Sequence, residues 1–273
     1  MNSSGTSETI YVMIKAIGNI GKAAMHTTSS LCGTLAFAAR VFLNLFDRRT
    51  YNSASRMVFI HQFYFTSVQI LPLFLFVAVI FGSLINGMAF QVVKNLGLSD
   101  YLGRLLMGFV VTELSPFVTV LLIALRSSSA INAEIAVMKV NRELKTLESF
   151  RIDLIHYLFV PRILNGMLSM VLLTSLFALV VLSIGLLVSS LVFGTSVDAY
   201  IDTLLHSADV LDIVILLIKC ATFGFFITLI PIRLGLNASQ ELTSIPVAVL
   251  NGMVKVFLAI VTIEVLSSIV RFI

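Results

Sequence analysis

Glu113, Lys219 and Glu264 are ionisable side chains set inside stretches that are otherwise apolar enough to cross a bilayer. Glu113 stands in Thr112-Glu113-Leu114-Ser115-Pro116, within Leu105–Leu125; Lys219 lies in Leu211–Ile232 and Glu264 in Val247–Val270. A charge held in hydrocarbon is costly, so such a group pairs with another, holds a proton, or faces a wet or ligand-lined interior. Pro116 removes a helix hydrogen bond beside Glu113 and loosens the backbone where the charge sits. The chemistry open to these residues is ion pairing, proton exchange and contact with a polar head group.

Other chemistry has little support. His26, His61, His156 and His206 are scattered and form no i,i+4 pair, and Cys32 and Cys220 lie far apart, so no metal site is expected. There is no G-x-x-x-x-G-K-[ST] phosphate loop and no Ser-His-Asp or Cys-His arrangement. The chain is therefore read as a non-catalytic subunit that does not itself hydrolyse ATP. The balance of 18 basic to 14 acidic residues is too modest for a nucleic-acid footprint and reads instead as a topology signal.

The elements that must position these groups are membrane helices. Of 273 residues, 58% are hydrophobic and 12% charged, with mean hydropathy +1.04; soluble domains carry about 25% charged residues. The fold class expected is an all-α integral membrane protein, read as one domain over residues 1–273. Five segments reach the ~20 apolar residues a crossing needs: Phe59–Asn86, Leu105–Leu125, Ile163–Phe193, Leu211–Ile232 and Val247–Val270. Pro72 predicts a kink in the first. Ahead of them, 9–46 has helical stripes (Ile10, Met13, Ile14, Ile17; Leu35, Val41, Phe42, Leu45) interleaved with Lys15, Lys22 and Arg40, which predicts a helical region lying on the membrane surface. Met1 to Ser30 lacks the features of a cleaved leader.

Basic residues set the orientation. Lys15, Lys22, Arg40, Arg48, Arg49 and Arg56 precede the first span; Arg126, Lys139, Arg142, Lys145, Arg151 and Arg162 follow the second; Arg233 follows the fourth. The opposite side holds Lys94, Arg104 and Arg271, with Asp198, Asp202 and Asp209. The positive-inside rule then puts the N-terminus and the large loop in the cytoplasm and the C-terminus outside. On this orientation Glu113 and Lys219 lie about eight residues from the outer ends of their spans and Glu264 about six, ~9–12 Å at 1.5 Å per residue. The fourth and fifth spans are consecutive and antiparallel, which predicts a buried Lys219–Glu264 ion pair, with substrate contact as the other reading. For Glu113, structural pairing or protonation and a direct role beside a lipid head group both stand.

The cytoplasmic stretch Ile131–Glu148 has apolar residues at Ile135, Met138, Leu144 and Leu147 among Lys139, Arg142, Glu143, Lys145 and Glu148. It predicts one amphipathic helix, suited either to receive force from a partner or to lie on lipid head groups. Arg126 and Glu134 straddle the cytoplasmic mouth about two turns apart and are expected to brace that helix.

Thr-Glu-Leu-Ser-Pro at 112–116, Ala124-Leu125-Arg126-Ser127-Ser128-Ser129-Ala130, Ala133-Glu134-Ile135, Met138-Lys139-Val140, Leu147-Glu148 and Val160-Pro161-Arg162 follow one another in order. Together they resemble the MlaE/YrbE permease family, membrane subunits of MCE-type ABC lipid transporters, whose pattern runs roughly R-E-L-G-P, A-G-R-x-G-S-A, A-E-[LI]-x-x-M-[KR]-V, A-L-E and P-R. The chain departs from it at Thr112 and Ser115, where the pattern has Arg and Gly, and at Leu125 and Ser128, where it has glycines. The resemblance implies a permease dimer, of like copies or with a diverged sibling, enclosing phospholipid in a bacterial inner membrane. Two ABC ATPase subunits carrying ATP and Mg would sit beneath it and a ring of MCE-domain proteins above. Lys139, Val140, Arg142, Glu143, Leu144, Leu147 and Glu148 would form the coupling helix to the ATPase, within 131–150. Glu113, Leu114, Leu84, Ile85 and Met88 would line the lipid pocket. An ATP-independent carrier moving ions or protons through Glu113, Lys219 and Glu264 is the alternative.

Overall fold

The computed structural model describes residues 33, 36–45, 47, 53–97, 101–239, 241 and 243–272. The chain divides into two units, 1–46 and 47–273. In the first, residues 36–44 form a helix, α1; the rest of the expected surface-lying region at 9–46 falls almost wholly outside the described residues.

The second unit is helical, with no strand among its described residues. Five of its helices are long and apolar enough to cross a membrane: α2 (Ser55–Val93), α3 (Leu102–Val140), α5 (Ile155–Val192), α7 (Val210–Asn237) and α8 (Ile245–Arg271). Two short helices join them, α4 (Glu143–Ser149) and α6 (Val197–Ser207). The packing runs α2 on α5, α5 on α7 and α7 on α8, with α3 wedged across α5, α7 and α8. At their centre lie the fully buried Phe74, Phe177, Met170 and Phe223, the first two edge to face at 5.7 Å. Large apolar side chains such as Phe76, Val79, Leu179, Leu217, Leu258 and Val261 face outwards, as a chain solvated by lipid requires, since lipid tails do not drive them inside.

Backbone irregularities sit where prolines and hydroxyls demand them. The regular turn of α2 is lost at Gln69 and Ile70, just before Pro72. Leu106–Leu114 winds as a wide π-helix that ends before Pro116, and hydroxyls tie off carbonyls in and beside it: Ser115 Oγ donates to Val110 O at 2.7 Å and Thr112 Oγ1 to Gly108 O at 2.6 Å. Wide turns of this kind are frequent at functional sites, and this one holds Glu113.

α3 has 39 residues, ~58 Å of helix against a ~30 Å hydrocarbon core. Its last segment, Ser129–Val140, lies beyond the expected end of the second span at Leu125. That segment buries Ile131, Asn132, Ile135 and Ala136 and packs on α7 and α8. Here the single amphipathic helix expected over Ile131–Glu148 is corrected. The helix stops at Val140, Arg142 takes a left-handed conformation at φ 60°, and α4 begins at Glu143. The cause is the apolar spacing. Six residues separate Met138 from Leu144, which no single helix face accommodates; the left-handed residue turns the chain so that Leu144 is buried as well.

α6 covers the opposite end. Ser196 caps it by accepting from Ala199 N at 3.3 Å, and Asp209 caps α7 by accepting from Leu211 N at 3.1 Å. Tyr200 is buried, donates to Leu182 O at 3.1 Å, and burial pushes its phenol up to about 12.

Candidate functional site

α3, α7 and α8 bring their charges to one point. The Lys219 ammonium donates to Glu113 Oε2 at 2.5 Å and to Glu264 Oε1 at 3.0 Å. The Arg271 guanidinium, at the far end of α8, donates to the other oxygen of Glu113, Oε1, at 3.1 Å, and lies 3.4 Å from Asp212 Oδ1 in the first turn of α7. Five charged residues thus form one chain, Asp212–Arg271–Glu113–Lys219–Glu264. The Lys219 side chain is 2% exposed, whereas those of Glu113, Glu264 and Arg271 are each about one-fifth exposed. Lys219 is enclosed and the carboxylates open on one side.

Sequence reasoning paired Lys219 with Glu264 but treated Glu113 separately and Arg271 only as an orientation marker. The missed signal was depth, because all three span charges lie at similar distances from the outer ends of their helices. Arg271 also donates to Thr112 Oγ1 and Gly108 O. Thr112 stands where the resembled pattern has arginine, and here a guanidinium reaches that position from α8. Arg271→Ala should lower thermal stability by about 2 kcal/mol, the range for hydrogen bonds to charged groups. Adding Thr112→Arg should restore it, because the new guanidinium would fill the space Arg271 leaves. A double variant no more stable than Arg271→Ala in a heating assay would refute that equivalence.

The other residues singled out from sequence are placed as follows. Leu84 and Met88 are 56% and 65% exposed on the outward face of α2, while Ile85 and Leu114 are half-buried against the core. Arg126 and Glu134 do not meet each other in any described bond. Arg126 Nη1 donates to Gln69 O at 3.0 Å, at the break in α2, and Glu134 Oε1 accepts from Arg162 Nη2 at 2.5 Å. Sequence reasoning had counted Arg162 as a loop charge; it is buried, at the base of α5. Lys139 donates to Leu236 O at 2.5 Å, fastening the end of α3 to the end of α7. Arg142, Glu143 and Glu148 on and before α4 are exposed, Leu147 and Val140 are half-buried and Leu144 is buried. Among the described residues no group of three or more His, Cys, Asp or Glu is placed to hold a metal ion.

This arrangement defines a multi-pass helical membrane protein with a charged network enclosed among three of its spans. The sequence pattern of the family described as Permease MlaE matches residues 59–270, and the chain belongs to that family. It is 31% identical over 185 residues to the chloroplastic protein TRIGALACTOSYLDIACYLGLYCEROL 1 of Arabidopsis thaliana, covering 63% of this chain and 52% of that one. A probable ABC transporter permease protein of Synechocystis is 30% identical over 164 residues, covering 60% and 62%. The intermembrane phospholipid transport system permease protein MlaE of Haemophilus influenzae is 32% identical over 118 residues, covering 43% and 45%. The chain spans about half the length of the curated relatives it matches.

Proposed function

We propose that this chain is the membrane permease of an ATP-driven phospholipid transporter. Partner ATPases would act on its cytoplasmic side and an MCE-domain ring would receive or deliver lipid on the other. Membership of the MlaE family supports the class, and the name of the Haemophilus relative supports phospholipid as cargo. One geometric observation carries the mechanism. The end of α3 that leads into α4 is packed on α7 and α8, the two helices that bear Lys219 and Glu264. Asn132 Nδ2 donates to Ala248 O at 3.0 Å on α8, and Lys139 grips the end of α7. A push on exposed α4 would therefore travel along a stiff helix to the far helices of the bundle as well as to its own span. Two alternating packings of such a bundle are the usual means of moving a ligand.

In this reading the N-terminus, α4 and the end of α3 face the cytoplasm and the C-terminus faces the opposite side of a bacterial inner membrane. Two copies, or this chain and a diverged sibling, would enclose the cargo. The exposed face of α2 with Leu84 and Met88 would join Ile85, Leu114 and the open side of Glu113 in lining that space. The exposed residues Arg142, Glu143, Lys145 and Glu148 would meet the ATPase.

The test is gentle purification of the native assembly, with cysteines introduced at Lys145 and Glu148 for cross-linking. An ATPase cross-linked through α4 and phospholipid identified by mass spectrometry are the expected results. Recovery of neither, or ATP-independent ion flux in vesicles holding the chain alone, would overturn the proposal.

A further inference from the structure

The charged network does not balance. It has three carboxylates, Asp212, Glu113 and Glu264, against two bases, Lys219 and Arg271. Glu113 spends one oxygen on Lys219 and the other on Arg271, and Asp212 faces Arg271 at the helix start. Among the described residues Glu264 has only Oε1 engaged. Its Oε2 is buried and receives no hydrogen bond from the described residues. A carboxylate oxygen enclosed in a membrane protein without a donor is the least stable way to carry the excess charge.

What can correct this is limited by space. Oε2 is buried in the single chain although the Glu264 side chain as a whole is about one-fifth exposed, so a hydrated metal ion or a lipid ammonium group cannot seat on that oxygen as the helices stand. A proton can. We propose that Glu264 is a proton-binding site, holding one exchangeable proton that brings the five-residue network to neutrality. The reaction is simple uptake at the exposed side of the carboxyl: an O–H bond of a solvent hydronium breaks and leaves water, one O–H bond forms on Glu264, and the network changes from a net charge of −1 to zero. Glu113, bonded to the same Lys219 ammonium, is the neighbouring carboxylate.

The charged and titratable groups facing Glu264 are Lys219 and Cys220 from α7 and Glu113 from α3. Arg271 acts through Glu113, and Asp212 through Arg271. The end of α3 also packs on α8, but its Glu134 and Lys139 are engaged with Arg162 and Leu236. Any motion that parts α7 from α8 and admits water removes the reason for the proton to stay. Protonation therefore favours the closed packing and release favours an open one, which ties helix movement to pH whatever cargo is carried.

Infrared difference spectroscopy of the full chain in lipid nanodiscs tests this without any transport assay. At neutral pH the wild type should give the carbonyl stretch of a protonated carboxylic acid, shifted in D2O and lost on titration to alkaline pH. Glu264→Gln should lack it, Glu264→Asp should keep it with an altered titration midpoint, and Asp198→Asn in exposed α6 should leave it unchanged. Absence of the band in wild type at neutral pH would overturn the proposal, as would its persistence in Glu264→Gln. If Glu264→Gln does not fold, an unshifted band and midpoint in Glu264→Asp would overturn it. These outcomes are independent of whether lipid or ATPase co-purifies, so failure here and failure of the transport reading are separately visible.

Discussion

Lys219→Met is expected to destabilise the protein by about 3–5 kcal/mol, the range seen when one partner of a buried ion pair is removed. The Lys219 side chain is 2% exposed and its ammonium bonds two carboxylates. Methionine would fill the space but leave Glu113 held by Arg271 alone and Glu264 with no partner. At roughly 2–4 °C per kcal/mol for a chain of this size, the thermal midpoint in detergent should fall by about 10 °C. Acidification should recover part of the loss, because without Lys219 the carboxylates Glu113 and Asp212 share Arg271 alone, and a further proton removes the excess charge. The triple variant Glu113→Gln, Lys219→Met, Glu264→Gln should recover more, since replacing a whole buried ionic group by neutral residues is often tolerated. A single variant as stable as wild type would mean that the three charges do not meet. A stable triple variant that has lost transport would separate a role toward cargo from a role in holding the helices.

The sequence carried most of the span arrangement because hydrocarbon thickness is a strong constraint on length and composition. Four of the five expected spans lie inside one of the long apolar helices, and the third, Ile163–Phe193, runs one residue past Val192 at the end of its helix. It carried less about where helices continue past the bilayer. The second span was bounded at Leu125, yet α3 runs on to Val140 because Ile131, Ile135 and Ala136 have α7 and α8 to bury against. That contact is between elements far apart in the chain, which local periodicity does not record. The break at Arg142 was legible in principle, from the six-residue gap between Met138 and Leu144 that spoils a single apolar stripe.

At the site, Lys219 and Glu264 could be paired because consecutive antiparallel helices are neighbours. Adding Glu113 required knowing that α3 crosses α7, a fact of packing, although its matching depth pointed to the same layer. Arg271 was hidden by its length. Its Cα sits at the end of α8, where an arginine reads as an orientation marker, but its guanidinium reaches the carbonyl of Gly108 and the carboxyl of Glu113 on another helix. Arg162 was hidden for a similar reason. A base beside a cytoplasmic loop reads as solvated, whereas here it is buried with Glu134.

Gly224→Ala is expected to be the most damaging single-methyl addition in the bundle. A Cβ at Gly224 would lie 2.5 Å from Met167 Cα, 2.6 Å from Gly166 O and 2.7 Å from Met167 N. All three are backbone atoms, so no side chain can swing aside, and α5 and α7 must move apart. Such close approach needs a residue without Cβ, as small residues permit at membrane helix crossings. The cost should reach or exceed the ~3 kcal/mol at the upper end of overpacking effects. Gly87→Ala is the control. Nothing lies within 4 Å of its added methyl, and alanine is favoured over glycine in helix by about 1 kcal/mol, so that variant should match or exceed wild type on heating. The consequence for the site follows from distance along α7. Gly224 lies five residues beyond Lys219, ~7.5 Å up the same helix, so a wedge at the crossing displaces the ammonium from Glu113 on α3. Gly224→Ala should therefore lose thermal stability and also the protonated-carboxyl signal of Glu264, as the widened gap admits water. A variant that keeps both would mean that α5 and α7 do not cross at these glycines, and that Lys219 is held in place by its carboxylates alone.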